Sequence, residues 1–543
     1  MIRQVTNPRK RPESENDYLE QADEFESSGS KWKAGDPAKA LRFYQKAVTA
    51  YIEGLSRFPK SFDLAYNKAL LLYHITQEKR IAPLVGSLLE LLKEALDAHR
   101  LALTIDQENP DVLFNTAQVL TSFAEELNEN ADQDPGFKKQ AVSQLQEAVE
   151  LFAACLTRQE MEYTQLQEIQ GAADETPSSN ETEKAPPTAK RAESDQGEQW
   201  AVVLESITPD TLIETALAQL GSLSSLATVA APTTSSLLAN LSEIAIPIVT
   251  QKLPSYISLL PTSVPEDALG NKSTPFLVVS NSSSTFHPDA PAHPTNPQAE
   301  AKIEADLAVA VFKSALSSAE YKSKLASSET YASRIKEAFS SLIETTNTET
   351  TPLPSSIQIL SAYADALIDL ADAVTEMDTD LSQNDSATTR WTSLTHAQDL
   401  LTKVTTLLSS PGTLSSNDLD LPGRAQIYLQ RGDIELLRSR LARLPSATAS
   451  ISNSLPTLLK NAGVYYRGAK GLAGQDGNEQ LRDEASIKAG VVKIAEGIWG
   501  GGITLATMKE NFQGVEADTV RETVDEMAEE GLINEEVRKV ILS

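Results

Sequence analysis

Cysteine is nearly absent: Cys155 is the only one in 543 residues. No intramolecular disulfide can brace the fold, and this usage fits a reducing compartment. Aromatic residues are scarce as well, 6% against 41% hydrophobic residues overall. That balance argues against an aromatic-rich sandwich and for many helices packed through Ala and Leu. The five histidines are His74, His99, His287, His293 and His396. None has metal-ligand spacing, such as a second histidine four residues on with a Glu between. A phosphate loop needs a glycine run ending in Lys-Ser/Thr at a helix start. Gly500-Gly501-Gly502-Ile503-Thr504 lacks the lysine and Gly468-Ala469-Lys470-Gly471 lacks the rest, so both read as turns. The most apolar stretch, Leu237 to Leu260, is interrupted by Glu243, Pro247, Lys252 and Pro254, too broken for a membrane span. Met1 to Tyr18 is polar, without the apolar core of a signal peptide, so a soluble intracellular protein is expected.

Positive charge is also in deficit, with 47 Lys and Arg against 76 Asp and Glu and a net charge of -29. Such a chain repels nucleic-acid phosphates and anionic membranes and attracts basic proteins. Its acidity serves plain solubility as well. Arg9-Lys10-Arg11, between Pro8 and Pro12, has the makeup of a nuclear import signal and equally of a disordered tail. The expected location is cytoplasmic, with the nucleus as the alternative.

What the chain does contain is an internal repeat. Gln45–Leu55 returns 48 residues later as Lys93–Leu103, with Ala47, Ala50 and Gly54 matched by Ala95, Ala98 and Ala102 and with Tyr51 matched by His99. At the same offset Asp63–Leu70 returns as Asp111–Gln118, pairing Tyr66 with Phe114 and Asn67 with Asn115. A third copy of the first segment, Ala141–Arg158, aligns with Ala40–Arg57 and puts Ala148, Phe152 and Cys155 on Ala47, Tyr51 and Gly54. Small residues at i, i+3 and i+7 let one helix approach another, a ring fills the next gap, and stacking covers the face that each hairpin leaves open. The packing set is thus Ala47, Tyr51, Gly54, Ala95, His99, Ala102, Ala148, Phe152 and Cys155. Cys155, in a small-residue position, is expected to be a packed thiol rather than a nucleophile.

These residues resemble the tetratricopeptide repeat family. Gly35-Asp36 followed by Ala40, Tyr44 and Ala47 is similar to the turn and second helix of its hairpin, and Pro59 stands where the family closes its repeat. Ala425–Asp433 carries a small residue, a tyrosine and Gly-Asp at family spacing. The resemblance covers roughly Asp17 to Gln170 and is patchy beyond. It departs in its period, which is longer than the family's, with Pro83-Leu84-Val85-Gly86 as an inserted turn. It implies an all-α solenoid of helical hairpins that binds a protein segment on its first helices, with no catalytic site, cofactor or metal.

On that face Asn67, Asn115, Tyr66 and Phe114 are the candidate groove residues, the asparagines holding a ligand backbone or bonding within the hairpin. The family's chaperone-binding branch grips a carboxylate with Lys and Asn on one first helix. Here that Lys position is Asp111, so the C-terminal tails of the Hsp70 and Hsp90 chaperones are not expected as ligands.

The expected organisation is a repeat array over 15–170, a disordered acidic linker over 171–199 and helical hairpins over 200–260. A Pro/Ser-rich loop follows over 261–297, then divergent helical repeats over 298–480 and a helix-turn-helix-like cap over 481–543. The second cap helix, Asp518–Ile533, is acidic, which suits protein docking and not a DNA groove. Taken together, the sequence predicts a protein-binding scaffold or dedicated chaperone with a basic client. The alternatives are a structural subunit of a larger complex and a regulatory subunit of an enzyme.

Overall fold

The structure, a computed structural model, describes residues 12–174, 207–262, 296–346, 351–377, 384–409, 423–500, 512 and 515–543. These residues are all-α, with no strand among them, and they form helical hairpins of solenoid type. They fall in two compact units, one drawn from Met1–Val229 and Ile244–Thr262, the other from Ala230–Glu243 and Ser263–Ser543.

The first unit opens with α1 (Glu15–Lys33) and α2 (Pro37–Arg57). Ser14 and Asp17 form a capping box at the start of α1, and Asp36 accepts from the Lys39 amide, with Pro37 as first residue, to start α2. The Gly35-Asp36 turn is therefore where the repeat pattern puts it. Gly29 makes the hairpin close: a Cβ there would stand 2.5 Å from Cε1 of Tyr44, which is itself 1% exposed.

The second hairpin pairs α3 (Phe62–Gln77) with α5 (Leu88–Ile105), and the third pairs α6 (Pro110–Glu129) with α7 (Pro135–Asp174). Between α3 and α5 lies the short α4 (Ala82–Val85), ended by Gly86 at φ 113, so the inserted turn has a glycine where the backbone turns left-handed. Ser61, Ser87 and Asn109 cap α3, α5 and α6. Helices of 16 to 21 residues and the inserted α4 account for the long period.

α8 (Pro209–Ala230) continues this array. Thr121 and Glu125 of α6 hydrogen-bond Ser222 and Ser225 of α8, at 2.8 and 2.7 Å, and Gln219 donates to the Val149 carbonyl of α7 at 3.2 Å. The separate group expected over 200–260 thus contributes a further first helix to the same stack. By length and composition α8 is apolar enough to cross a membrane, and most of that stretch is buried in the first unit. α9 (Ser235–Pro247) runs through a π-helical turn, Ile248–Lys252, into α10 (Leu253–Ser258). Lys252 pairs with Glu160 on α7 at 2.9 Å, and Tyr256 bonds the same carboxylate.

The second unit, which takes in Ala230–Glu243 with the first part of α9, continues with α11 (Pro297–Lys322) and α12 (Ser328–Thr345). Sequence reading expects one helical stretch from Asn296 to about Thr345. The chain instead turns at Lys324, φ 61, and Ser327 caps the new helix. α13 (Leu353–Met377) and α14 (Asn384–Leu407) form the next pair. α15 (Arg424–Ala442) packs on α17 (Leu455–Gln475) with the short α16 (Ala449–Asn453) between them, and α17 packs in turn on α18 (Glu479–Gly500). The expected boundary at 480/481 therefore falls inside a packed helix pair.

Gly432-Asp433, matched to the family's Gly-Asp, sits in the middle of α15 and not in a turn. Gly432 lies against the Tyr466 ring of α17, and Asp433 accepts from the Tyr466 hydroxyl at 2.7 Å. This glycine closes a hairpin as Gly29 does. The chain ends in α19 (Ala517–Glu529) and α20 (Glu535–Leu542), joined by a turn with Gly531 at φ 73. α20 follows Gly531-Leu532-Ile533 directly. Of the linker expected over 171–199, residues 171–174 belong to α7 and the rest lie outside the described residues, as do most of the Pro/Ser loop and all but Phe512 of the helix expected over Ile503–Phe512.

Candidate protein-docking face

Each first helix of the first unit bonds the next through side chains one repeat apart. Asn115 on α6 donates to the Tyr66 hydroxyl on α3 at 2.7 Å, Tyr73 and Ser122 share a bond at 3.0 Å, and the α6–α8 bonds continue the series. The first-helix face is therefore a built surface whose neighbouring rows are locked in register.

Three acids stand on this face. Asp63 and Asp111, exposed at equivalent positions, head α3 and α6, and Glu125 follows near the end of α6. Burial, with the charge of Glu15 behind it, raises the Asp63 carboxyl above its ordinary range. Burial also raises Glu125, although the Ser225 hydroxyl donating to it pulls the other way. Both side chains reach solvent while the surrounding helices shield them in part, so their charge is poorly hydrated and open to a cationic partner. None of the face positions 63, 66, 67, 111, 114, 115, 118 and 125 is Lys or Arg.

The four candidate groove residues do not act alike. Asn115 uses its amide N–H groups inside the protein, on Tyr66 and on the Asp111 carbonyl at 2.8 Å. Asn67, half-buried at the equivalent place on α3, has no side-chain hydrogen bond among the described residues. Tyr66 stacks on Phe62 at 5.3 Å between centroids, and burial pushes its phenol up. Its hydroxyl, acting as acceptor for Asn115, keeps a proton to donate. Phe114 points into the third hairpin, edge-on to Phe152 at 5.5 Å.

The repeat-packing residues are all interior. Ala47, Ala95, Ala102, Ala148, His99 and Cys155 are fully buried, Phe152 is 1% and Tyr51 3% exposed, and Gly54 rests on Leu64 and Tyr18. Tyr51 donates to Glu26 at 2.6 Å, and burial lifts that carboxyl to about 6. His99 has no acid at the corresponding place. Its Nδ1–H donates to the Ala95 carbonyl at 2.9 Å, its ring stands edge-on to Tyr73, and burial pushes it down to about 4. The Cys155 thiol donates to the Pro110 carbonyl at 3.3 Å, and burial pushes it up to about 12. A neutral imidazole and a protonated, enclosed thiol are packing groups. Among the described residues no cluster of three or more His, Cys, Asp or Glu is arranged to hold a metal.

The second unit has an acidic stripe of its own, which sequence reading passed over. Asp365, Asp369 and Asp372 lie exposed along one face of α13, at i, i+4 and i+7. Gln430 donates to Asp365 at 2.6 Å. Asp369 and Asp372 are each pushed up to about 6, by burial first and then by the nearest acid of the stripe, while Lys322 draws both down. The spacing was visible in the letters. In so acidic a chain it did not stand out, and only the fold shows the flanking helices that desolvate it.

No family model matches the chain. A Schizosaccharomyces pombe protein described as UPF0656 protein C926.02 is 37% identical over 118 residues, covering 22% of this chain and 26% of that protein. The match thus spans about a quarter of that relative's length. A solved structure described as a circular tandem repeat protein with novel repeat topology and enhanced subunit contact surfaces covers 95% of this chain and 100% of its own, at 14% identity and a TM-score of 0.31.

Proposed function

We propose that this chain is a protein-binding scaffold or dedicated chaperone, without catalytic activity, whose acidic first-helix face receives a basic segment of a client protein. The observation that carries this reading is the repetition of Asp63 and Asp111 at equivalent positions, with no Lys or Arg at 66, 67, 114, 115, 118 and 125 beside them. A lysine- or arginine-rich extended segment, such as a ribosomal protein extension or a histone tail, meets complementary charge there, and the unbonded Asn67 amide is free to hold its backbone. A C-terminal carboxylate meets Asp111 instead of a cation, so tails of the Hsp70 and Hsp90 type are disfavoured by charge. Nucleic acid and membrane surfaces are disfavoured by the same sign.

The test is titration of the full chain with a fluorescent lysine/arginine-rich peptide. D63K/D111K should weaken binding at least about tenfold, since contacts between close opposite charges become like-charge contacts. Its helicity should stay unchanged. Equal affinity of the variant and the parent would contradict the assignment of this face.

A further inference from the structure

Within the second unit, two polar stripes meet where the neighbouring contacts are apolar. Gln398, Thr402 and Thr405 stand at i, i+4 and i+7 on α14, and Arg431, Glu435 and Arg438 stand at the same spacing on α15. Gln398 donates to Glu435 at 3.1 Å. Arg431 donates to Thr405 at 3.0 Å, to Thr402 at 2.9 Å and to the Tyr465 hydroxyl of α17 at 2.8 Å, with its guanidinium 4.2 Å from the centre of the Tyr465 ring. Arg438 pairs with Glu435 at 3.3 Å and lies over the Trp391 ring. These groups are enclosed, Glu435 being 2% and Arg431 7% exposed.

The charges in this seam do not balance. One carboxylate stands against two guanidinium groups: burial raises the Glu435 carboxyl, and Arg438 and then Arg431 draw it down. Arg438 and Gln398 already hold that carboxylate, and the hydrogen-bond partners of Arg431 are three neutral hydroxyls. Donors are in excess too. Thr402 and Thr405 give their own protons to carbonyls of α14, at 2.7 and 2.6 Å, whereas Tyr465, accepting from Arg431, keeps a proton with no acceptor among the described residues. The Nε–H groups of Arg431 and Arg438 are buried without acceptors as well, against a single unpaired acceptor, Oε1 of Gln398. A buried cation without an anion is costly to hold. The seam reaches solvent at Thr402, which is exposed, and at half-buried Tyr465. Around it the chain's acidity is reversed: α17 carries Lys460, Arg467 and Lys470 and no Asp or Glu, and α15 sets four arginines against Asp433 and Glu435, although the whole chain has a net charge of -29.

We propose that the α14–α15–α17 seam is a carboxylate-binding site. A carboxylate entering beside Thr402 replaces that hydroxyl as the acceptor for Arg431 and accepts a second hydrogen bond from the Tyr465 hydroxyl. Exchanging a neutral oxygen for an ionised one makes the Arg431 bond about twice as strong. The surplus of one positive charge selects a singly charged group, because a doubly charged phosphate would reverse the sign beside Glu435. The carboxylate belongs to an acidic side chain of a partner peptide or to a free small acid. This site does not depend on the reading of the protein as a receptor for basic segments.

Titration of the full chain with a fluorescent glutamate-rich peptide, acetylated and amidated so that only side chains carry charge, tests this at about 0.05 M salt. The peptide should bind the parent, and acetate should displace it more effectively than inorganic phosphate at matched ionic strength. Y465F keeps the ring over Arg431 and loses the hydroxyl, so it should bind about three- to tenfold more weakly. R431M should lose at least about tenfold. Acetate should also raise the melting temperature of the parent and not that of R431M. If circular dichroism shows R431M unfolded, Y465F decides alone. Acetate stabilisation that Y465F weakens, without peptide binding, would assign the site to a free small acid and uphold it. No response to peptide or acetate, an undiminished response in Y465F and R431M, or displacement by phosphate ahead of acetate would overturn it.

Discussion

Asn67 and Asn115 share a place in the repeat and differ in what their amides do. The Asn115 amide is spent on Tyr66 and on its own helix, which joins two repeats, whereas half-buried Asn67 has no side-chain hydrogen bond among the described residues. Asn115→Ala should therefore lower stability by about 1 kcal/mol, the net worth of a partly buried hydrogen bond. Asn67→Ala should leave the melting temperature nearly unchanged and weaken the client. Thermal unfolding of the two variants side by side checks this, and equal losses would show that Asn67 is structural. The letters displayed the equivalence of the two residues. They held no sign of the difference, because it depends on a tyrosine that stands at 66 in one copy and is replaced by Phe114 in the next. His99 gives the converse lesson: the repeat alone identified it as a packed ring, since Tyr51 and Phe152 occupy the same place.

At the scale of elements, closeness between paired helices is set by a few glycines. A Cβ at Gly29 would press into the Tyr44 ring, whereas one at Gly221 on α8 would meet nothing within 4 Å. Gly29→Ala should cost up to about 2 kcal/mol, an overpacking cost of roughly 1–3 reduced by about 1 from better helix propensity. Gly221→Ala should stabilise by up to about 1 kcal/mol. Chemical denaturation of both variants reads the two signs, and destabilisation by Gly221→Ala would mean that α8 is tighter than its surroundings indicate.

The hairpins between Pro37 and Arg158 were legible because small residues and rings recur at matched places, two helices of them with the same 48-residue offset. Legibility fell where a residue type had two uses. Gly-Asp at 35–36 makes a turn, and the same pair at 432–433 packs a helix interior, because only the partner helix decides which is possible. The break at Lys324 carries no Gly or Pro, and the one sign that divides α11 from α12 is the capping Ser327, in a chain where serines are common. α8 reads as separate from the array because a long polar stretch precedes it, although its serines complete the row that begins at Tyr66.

At the scale of the molecule, both compact units carry acid at helix faces where neighbouring helices desolvate it: Asp63 and Glu125 in one, Asp369 and Asp372 in the other. A net charge of -29 spread at random would serve solubility. Charge held in partly shielded rows costs stability in the free protein and is relieved by a cationic partner, and this is the ground of the proposed basic client. The most direct measurement is recovery of bound proteins on the immobilised full chain at low and at moderate salt, with mass spectrometry of what elutes. Basic proteins should be captured at low salt and released as salt rises, because their attraction is screened. Capture of no basic protein at low salt, or of partners that salt does not release, would contradict the account.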